Sequence, residues 1–169
     1  MGTTTFPVEH TWDGRPIDRA ATLTARRAAG VLEITVDAIY RGDPPPPGPA
    51  GPTWGLWDYE VVELFVLGPG ERYTEIELGP HGHHLVLRLE GRRSAVAREL
   101  PLDFEATISG GRWRGRARLD AALLPPGPHR ANAYAIYGVG AARRYLAWAP
   151  APGPAPDFHR LESFRSVTM

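Results

Sequence analysis

The strongest constraint on the fold is a two-residue alternation of apolar and polar side chains, broken repeatedly by turn residues. From Val31 to Tyr40 the apolar residues fall on one side, and Glu33, Thr35 and Asp37 fall on the other. A period of two predicts a half-buried β-strand. Further candidate strands, separated by Gly and Pro, cover residues 20–28, 58–67, 73–78, 84–90, 103–109, 112–119, 129–137 and 143–148. The one helical signal, at 120–124, ends at a Pro-Pro pair. The pattern predicts an all-β, antiparallel, jelly-roll-like β-sandwich of 8–10 strands with little helix.

Proline-rich segments set the expected domain organisation. Residues 41–57 contain four successive prolines, which cannot join a hydrogen-bonded ladder. Too few residues precede this segment to form a domain of their own. We therefore expect a single domain over 1–169, with an ordered excursion at 41–57 and a C-terminal clamp at 150–169. The clamp includes Asp157-Phe158-His159, which we expect to pack over a sheet edge.

Charge and composition exclude several classes of function. The 19 basic residues, all of them Arg, balance 19 acidic ones, and this argues against nucleic-acid partners and basic membrane-surface proteins. The absence of Cys excludes disulfides, thiolate metal sites and a Cys nucleophile. No apolar run approaches a membrane span of about 18 residues, and residues 1–10 lack a signal-peptide pattern. We expect a cytoplasmic protein of a GC-rich, bacterial type, and the oligomeric state stays open.

Two hairpins allow the strand register to be predicted. A two-residue Gly110-Gly111 loop pairs Ser109 with Arg112 and brings Glu105 opposite Arg116. This pairing favours a solvated salt-bridge ladder over an anion-binding surface. For the second hairpin, a four-residue loop at 79–82 pairs Glu77 with His84.

The second register predicts one polar face spread over three strands. With Val62 and Leu64 in the core, Glu63 joins that face. Its expected members are Glu63, Tyr73, Glu75, Glu77, His84 and Arg88. Either this is an ordinary wet sheet face, or it is the floor of a binding site. An unpaired buried Glu63 would be costly, so Arg88, His84 or Tyr73 is expected to contact it unless it borders a cavity.

Several segments resemble a known family. They are Glu9–Gly14, Leu56–Glu63, Glu77–Leu87 and Pro156–His159. Together they look like the family of the human chromosome 4 open reading frame 33 protein. The acidic strand at 58–65 also resembles family 9 carbohydrate-binding modules and related DOMON-like sandwiches. The resemblance implies a β-sandwich in which Trp rings and polar side chains of the sheet grasp a sugar. It places Glu63 at the motif glutamate and offers Trp54, Trp57 and Trp148 as candidate rings.

These observations lead to two functional hypotheses. The first is a non-catalytic domain that binds a small polyhydroxylated, carbohydrate-like ligand on a concave sheet face. Its candidate ligand-binding residues are Trp57, Glu63, Tyr73, Glu75, Glu77, His84, Arg88 and Trp148. The alternative is a small-substrate enzyme that uses Glu77 and His84 as an acid–base pair. No cofactor is expected, and the His81/His83/His84 cluster favours a turn-and-edge role over a zinc site.

Overall fold

The computed structural model describes residues 2–169, and these form one continuous sheet of thirteen strand segments that curls on itself. The strands are β1 Thr3–Thr11, β2 Pro16–Ala28, β3 Val31–Ile39, β4 Gly51–Pro52, β5 Val61–Leu67, β6 Arg72–Leu78, β7 His83–Glu90, β8 Ala95–Ala97, β9 Asp103–Ser109, β10 Arg112–Asp120, β11 His129–Tyr137, β12 Arg144–Ala147 and β13 Arg165–Val167. Short 3₁₀ turns cover Leu56–Asp58, Pro69–Glu71, Ala121–Leu123, Gly140–Ala142 and Leu161–Ser163.

The strand order brings distant parts of the chain together. It runs β4-β7-β6-β5-β11-β12-β1-β2-β3-β10-β9, with β13 beside β11 and β8 beside β7. All described pairs are antiparallel except the two-residue pairing of β4 with β7. The predicted all-β sandwich is therefore confirmed. None of the helices among residues 2–169 has the length and apolar character that crossing a membrane would need.

Two hydrophobic clusters lie on opposite faces of the sheet. The first fills the interior of the sandwich, where strands of both halves contribute side chains such as Phe6, Leu23, Ile34, Leu64 and Trp113. The second lies on the outer face of β5, β6, β7 and β11. Helical turns and the C-terminal segment cover this outer face, so these four strands are buried on both sides.

The C-terminal segment packs on that outer face rather than over a sheet edge, which corrects the expectation for Asp157–His159. The Phe158 ring stacks on Tyr134 with 3.9 Å between ring centroids. Asn132, the single asparagine of the chain, is fully buried, and its side-chain amide donates to the Ala149 carbonyl at 2.9 Å. Arg160 donates to the Ala151 carbonyl at 2.8 Å. These contacts fix the segment as a wall above the sheet.

The register of the Gly110-Gly111 hairpin is confirmed. Ser109 pairs with Arg112, and Glu105 pairs with Arg116. Arg112, the arginine nearest the turn, forms an ion pair at 2.7 Å with Asp37 of β3, the strand on the other side of β10 from β9. Ile108, which pairs with the buried Trp113, is 38% exposed near the turn.

The register predicted for the β6–β7 hairpin is wrong by one residue. Leu78 pairs with His84, and Glu77 pairs with Leu85. The connection between the paired residues Leu78 and His84 therefore spans the five residues 79–83. Within it the Gly79 N–H donates to the His83 carbonyl at 2.9 Å, and Gly82 takes a φ of 89°. A one-residue shift moves every side chain of β7 to the other face. His84 therefore lies across the sheet from Glu77.

Candidate functional site

Three glutamates form a cluster on the outer face of β5 and β6. Glu63 and Glu77 are direct cross-strand partners, and Glu75 is the next residue of β6 on the same face, opposite Phe65. One carboxylate oxygen from each glutamate lies within 4.8 Å of the corresponding oxygens of the other two. The predicted co-facial placement of Glu63, Glu75 and Glu77 is thus what the structure has. We call these three residues the glutamate triad.

The glutamate triad is buried and poorly partnered. Glu63, Glu75 and Glu77 are 2%, 4% and 0% exposed. Among residues 2–169, neither carboxylate oxygen of Glu77 has a hydrogen-bond partner, nor does Oε2 of Glu75. Buried polar groups are nearly always hydrogen-bonded, so this arrangement marks the triad as unusual.

Burial dominates the electrostatics of the triad. It raises the pKa of Glu75 to about 7. Burial, reinforced by the charge of Glu75, raises the pKa of Glu63 well above its ordinary value, and Arg143 opposes this. Burial and the charge of Glu63 likewise raise the pKa of Glu77. The triad therefore carries less negative charge at neutral pH than three free carboxylates would.

An open cleft of about 400 Å³ lies above the triad. Glu63 and Glu75 contribute to its floor. The rest of its lining comes from residues 54–58, from β7, β8 and the turn between them, from β11 and β12, and from the C-terminal segment. The lining residues are Trp54, Trp57, Asp58, Glu63, Glu75, Leu87, Leu89, Arg93, Ala95, Ile136, Tyr145, Pro156, Asp157, Phe158 and His159. The cleft thus combines aromatic rings with carboxylates and a guanidinium group.

Trp54 and Trp57 form one aromatic wall. Their rings are edge to face with 4.9 Å between centroids. Trp54 is 48% exposed, and the Arg98 guanidinium lies 4.3 Å from the centre of its ring. The backbone carbonyl of Trp57 accepts a hydrogen bond from Arg143. This arrangement fixes two indole rings beside acidic groups.

A hydrogen-bonded chain supports the opposite wall. The Tyr73 hydroxyl is 2.7 Å from Nδ1 of His159 and accepts the backbone N–H of Arg93 at 3.0 Å. His159 Nε2 is 4.0 Å from Glu75. Burial and the charge of Arg93 lower the pKa of His159 to about 4, so the ring is neutral at pH 7.

Three residues predicted to bind the ligand, two of them from the predicted polar face, lie away from the cleft. The side chains of His84 and Arg88 project from the other face of β7, because the register is shifted by one residue. Trp148 packs edge to face on Phe6, 5.0 Å between centroids, against the interior cluster. The expected contacts of Glu63 with His84 and Arg88 are therefore wrong. The Glu77–His84 acid–base pair is wrong for the same reason.

The remaining predicted residues surround the cleft at different depths. Trp57, Glu63 and Glu75 line it, whereas Glu77 and Tyr73 lie fully buried beneath it. Their ligand-binding roles stay predictions. Glu63 borders a cavity, which is the geometry expected of a ligand-site residue rather than of an internal ion pair.

Sequence reasoning missed Arg93, Tyr145, Asp157 and His159 as cleft residues. Asp157 accepts a hydrogen bond from Arg93 at 2.6 Å, which closes one rim of the cleft. The segment Pro156–His159, which resembles the family, could have pointed to Asp157 and His159. Because it is far in sequence from β5 and β6, its position above these strands could not be predicted. Arg93 lies two residues after the turn glycine Gly91, and no sequence motif around it indicates a binding residue.

The histidines of the β6–β7 connection make separate local contacts. His83 Nε2 is 3.2 Å from the Gly48 carbonyl, and His84 Nδ1 is 3.3 Å from the Gly82 carbonyl. His81 Nε2 is 3.3 Å from the Tyr40 hydroxyl. The three rings thus bond to different partners, and two of them hold the proline-rich segment and the turn.

Sequence comparisons give close relatives along almost the whole chain. The chain is 43% identical over 175 residues to the UPF0462 protein C4orf33 homolog of Danio rerio, covering 97% of this chain and 88% of that protein. It is 42% identical to UPF0462 protein C4orf33 of Homo sapiens, with 97% and 87% covered. A scan against protein-family models found no match.

Solved structures with the same fold include sugar-binding proteins. A candidate carbohydrate-binding protein from Bacteroides uniformis superposes with a TM-score of 0.70 at 16% identity, covering 97% of this chain and 85% of that one. A family 9 carbohydrate-binding module from Caldicellulosiruptor kristjanssonii in complex with cellotriose superposes with a TM-score of 0.55 at 10% identity, covering 86% and 69%. At these identities the similarity shows the fold.

Proposed function

Because the chain belongs to the UPF0462 family of C4orf33 proteins and shares the sandwich fold of family 9 carbohydrate-binding modules, we propose that its cleft binds a small polyhydroxylated, carbohydrate-like ligand without catalysis. The observation that carries the proposal is the juxtaposition of Trp57 with Glu63 and Glu75 in one cleft of about 400 Å³. That volume lies within the usual range for small-ligand sites.

The chemistry of the lining suits a sugar. Carboxylates accept hydrogen bonds from hydroxyl groups, and the Arg93 guanidinium donates them. Indole rings such as those of Trp54 and Trp57 present flat apolar faces that pack against the C–H face of a pyranose ring. A ligand with alternating apolar and hydroxyl-bearing surfaces fits such a lining better than a purely apolar or an anionic one.

The fixed walls of the cleft also support binding. Arg143 holds the backbone of Trp57, and stacking on Tyr134 holds Phe158. Side chains that are already ordered lose less conformational entropy when a ligand arrives, which raises the affinity.

Calorimetric titration tests the proposal. We expect glucose, cellotriose or another member of a panel of mono-, di- and trisaccharides to bind in the micromolar to millimolar range. Trp57→Ala should weaken that binding at least tenfold, because the variant loses one of the two indole rings of the aromatic wall. Trp148→Phe is the matched control, since Trp148 lies against the interior cluster. No heat across the panel at millimolar ligand would overturn the proposal.

A further inference from the structure

The three carboxylates of the glutamate triad converge on one small region at the floor of the cleft, where each side chain is at most 4% exposed. Their nearest oxygens lie within 4.8 Å of one another. Glu77 is 0% exposed, and neither of its oxygens has a hydrogen-bond partner within residues 2–169. Glu77 and Glu75 can share a hydrogen bond when one of the two is protonated, but when both are ionised no group of the described residues neutralises Glu77, and this points to a bound cation.

The nearby cations of the protein do not fill this role. Arg143 donates to backbone carbonyls of Gly138 and Trp57. Arg93 bonds Asp157 at 2.6 Å, and its side chain is 62% exposed. His159 approaches Glu75 only to 4.0 Å and carries no charge at pH 7. The described residues thus leave the carboxylates of Glu63 and Glu77 without a bonded cationic partner.

We propose that Glu63, Glu75 and Glu77 bind one divalent cation of the calcium class at the floor of the cleft. Carboxylate oxygens are ligands for hard cations, and the triad offers neither the imidazole nor the thiolate that zinc and copper sites favour. Ca²⁺ holds oxygen ligands at about 2.3–2.6 Å, so ligands on opposite sides of the ion lie up to about 5 Å apart. The separation of the triad oxygens fits around such an ion.

The position of the site suggests how the cation takes part in recognition. Glu63 and Glu75 line the cleft, whereas Glu77 closes the site from below, so the open coordination positions face the cleft. Ca²⁺ takes six to eight oxygen ligands, more than the triad supplies. Hydroxyl oxygens of the ligand complete the coordination, a step that rests on the function proposed above.

Titration of the metal alone is the first arm of the test. The protein is treated with a chelator, dialysed and titrated with CaCl₂ in a calorimeter at pH 8. We expect one site per chain, together with a rise in melting temperature on adding CaCl₂. Glu77→Gln should lower the calcium affinity at least tenfold and remove the rise. Glu90→Gln, an exposed position on β7, is the control and should bind as the wild type does.

The variant design keeps the result interpretable. Gln preserves the shape of Glu and removes an unpartnered buried carboxylate, so Glu77→Gln should fold at least as stably as the wild type in chelator. If it does not fold, Glu63→Gln provides the same comparison. No heat and no change in melting temperature for the stripped wild type would overturn the cation site, as would wild-type calcium affinity in both variants.

A second arm separates the cation site from the ligand site. Sugar titrations are run in calcium and in chelator. Binding that is at least tenfold tighter in calcium supports coordination of the ligand by the cation. Equal binding in both buffers overturns that coordination but leaves the proposed sugar site standing. Calcium binding with silence across the sugar panel retains the cation site and overturns the proposed function.

Discussion

Glu63 of β5 and Glu77 of β6 are direct cross-strand neighbours in a part of the sheet that is buried on both faces. Like charges in this relationship destabilise a sheet, and burial adds to the cost. The fold therefore tolerates an unfavourable pair at and just beneath the floor of the cleft. Such local conflict with stability is typical of functional sites.

Neutralising one member of this pair should not destabilise the metal-free protein. For Glu63→Gln in chelator at pH 8, we expect the free energy of unfolding to be unchanged or to rise by about 1–3 kcal/mol, the usual cost of an unpartnered buried polar group. Urea unfolding followed by circular dichroism measures this, with Glu90→Gln as the exposed control. A loss of more than about 1 kcal/mol would show that Glu63 has an internal stabilising partner.

Asn132 should be among the most sensitive positions of the fold. Its Oδ1 accepts the N–H of Ala133 at 2.8 Å and that of Ala149 at 3.0 Å, and its Nδ2 donates to the Tyr134 hydroxyl at 2.8 Å. Asn132→Ala leaves buried groups unsatisfied and should cost about 2–4 kcal/mol. Ser163→Ala, which removes a longer 3.2 Å contact to the same amide, should cost less. Equal losses in urea unfolding would argue against a central role for Asn132.

Acid should weaken the fold partly through His84. Burial lowers the pKa of its ring, which lies 5.9 Å from Phe104, from the ordinary value of 6.5. The unfolded chain then binds a proton more readily than the folded one, so this contribution to stability is complete above about pH 6.5 and is lost as the pH falls toward the folded pKa.

His84→Gln isolates that contribution. Urea unfolding of the variant between pH 7 and pH 5 should show a smaller loss of stability than the wild type shows. Parallel pH profiles for the two proteins would mean that protonation of His84 is not coupled to unfolding.

The sequence predicted the register of one hairpin and missed that of the other for a physical reason. Gly110-Gly111 leaves room for one two-residue turn, so the pairing of β9 with β10 follows directly. The stretch after Leu78 contains two glycines and a proline, so its sequence is compatible with a four-residue loop at 79–82 and with a five-residue loop at 79–83. Because β6 and β7 are buried on both faces, their apolar pattern does not distinguish the two registers.

Other elements were hidden by local chemistry or by distance along the chain. β1 contains Pro7, which argues against a strand, yet Pro7 pairs only with Thr22 where β1 has no neighbour on its other side. The strand positions of Glu63, Glu75 and Glu77 followed from alternation. The cleft above them did not, because much of its lining comes from β11, β12 and the C-terminal segment, which are distant in sequence and whose packing no local pattern encodes.

The most direct test of the account follows the indole N–H signals of the five tryptophans by NMR while a sugar is titrated into the protein. Single Trp→Phe variants assign the signals. We expect saturable shifts of the Trp57 and Trp54 signals, which report on the cleft, and unmoved signals from Trp113 and Trp148, which pack in the interior cluster. Shifts confined to Trp148, or no shift of any indole at millimolar sugar across the panel, would contradict a carbohydrate site at Trp57 and Glu63.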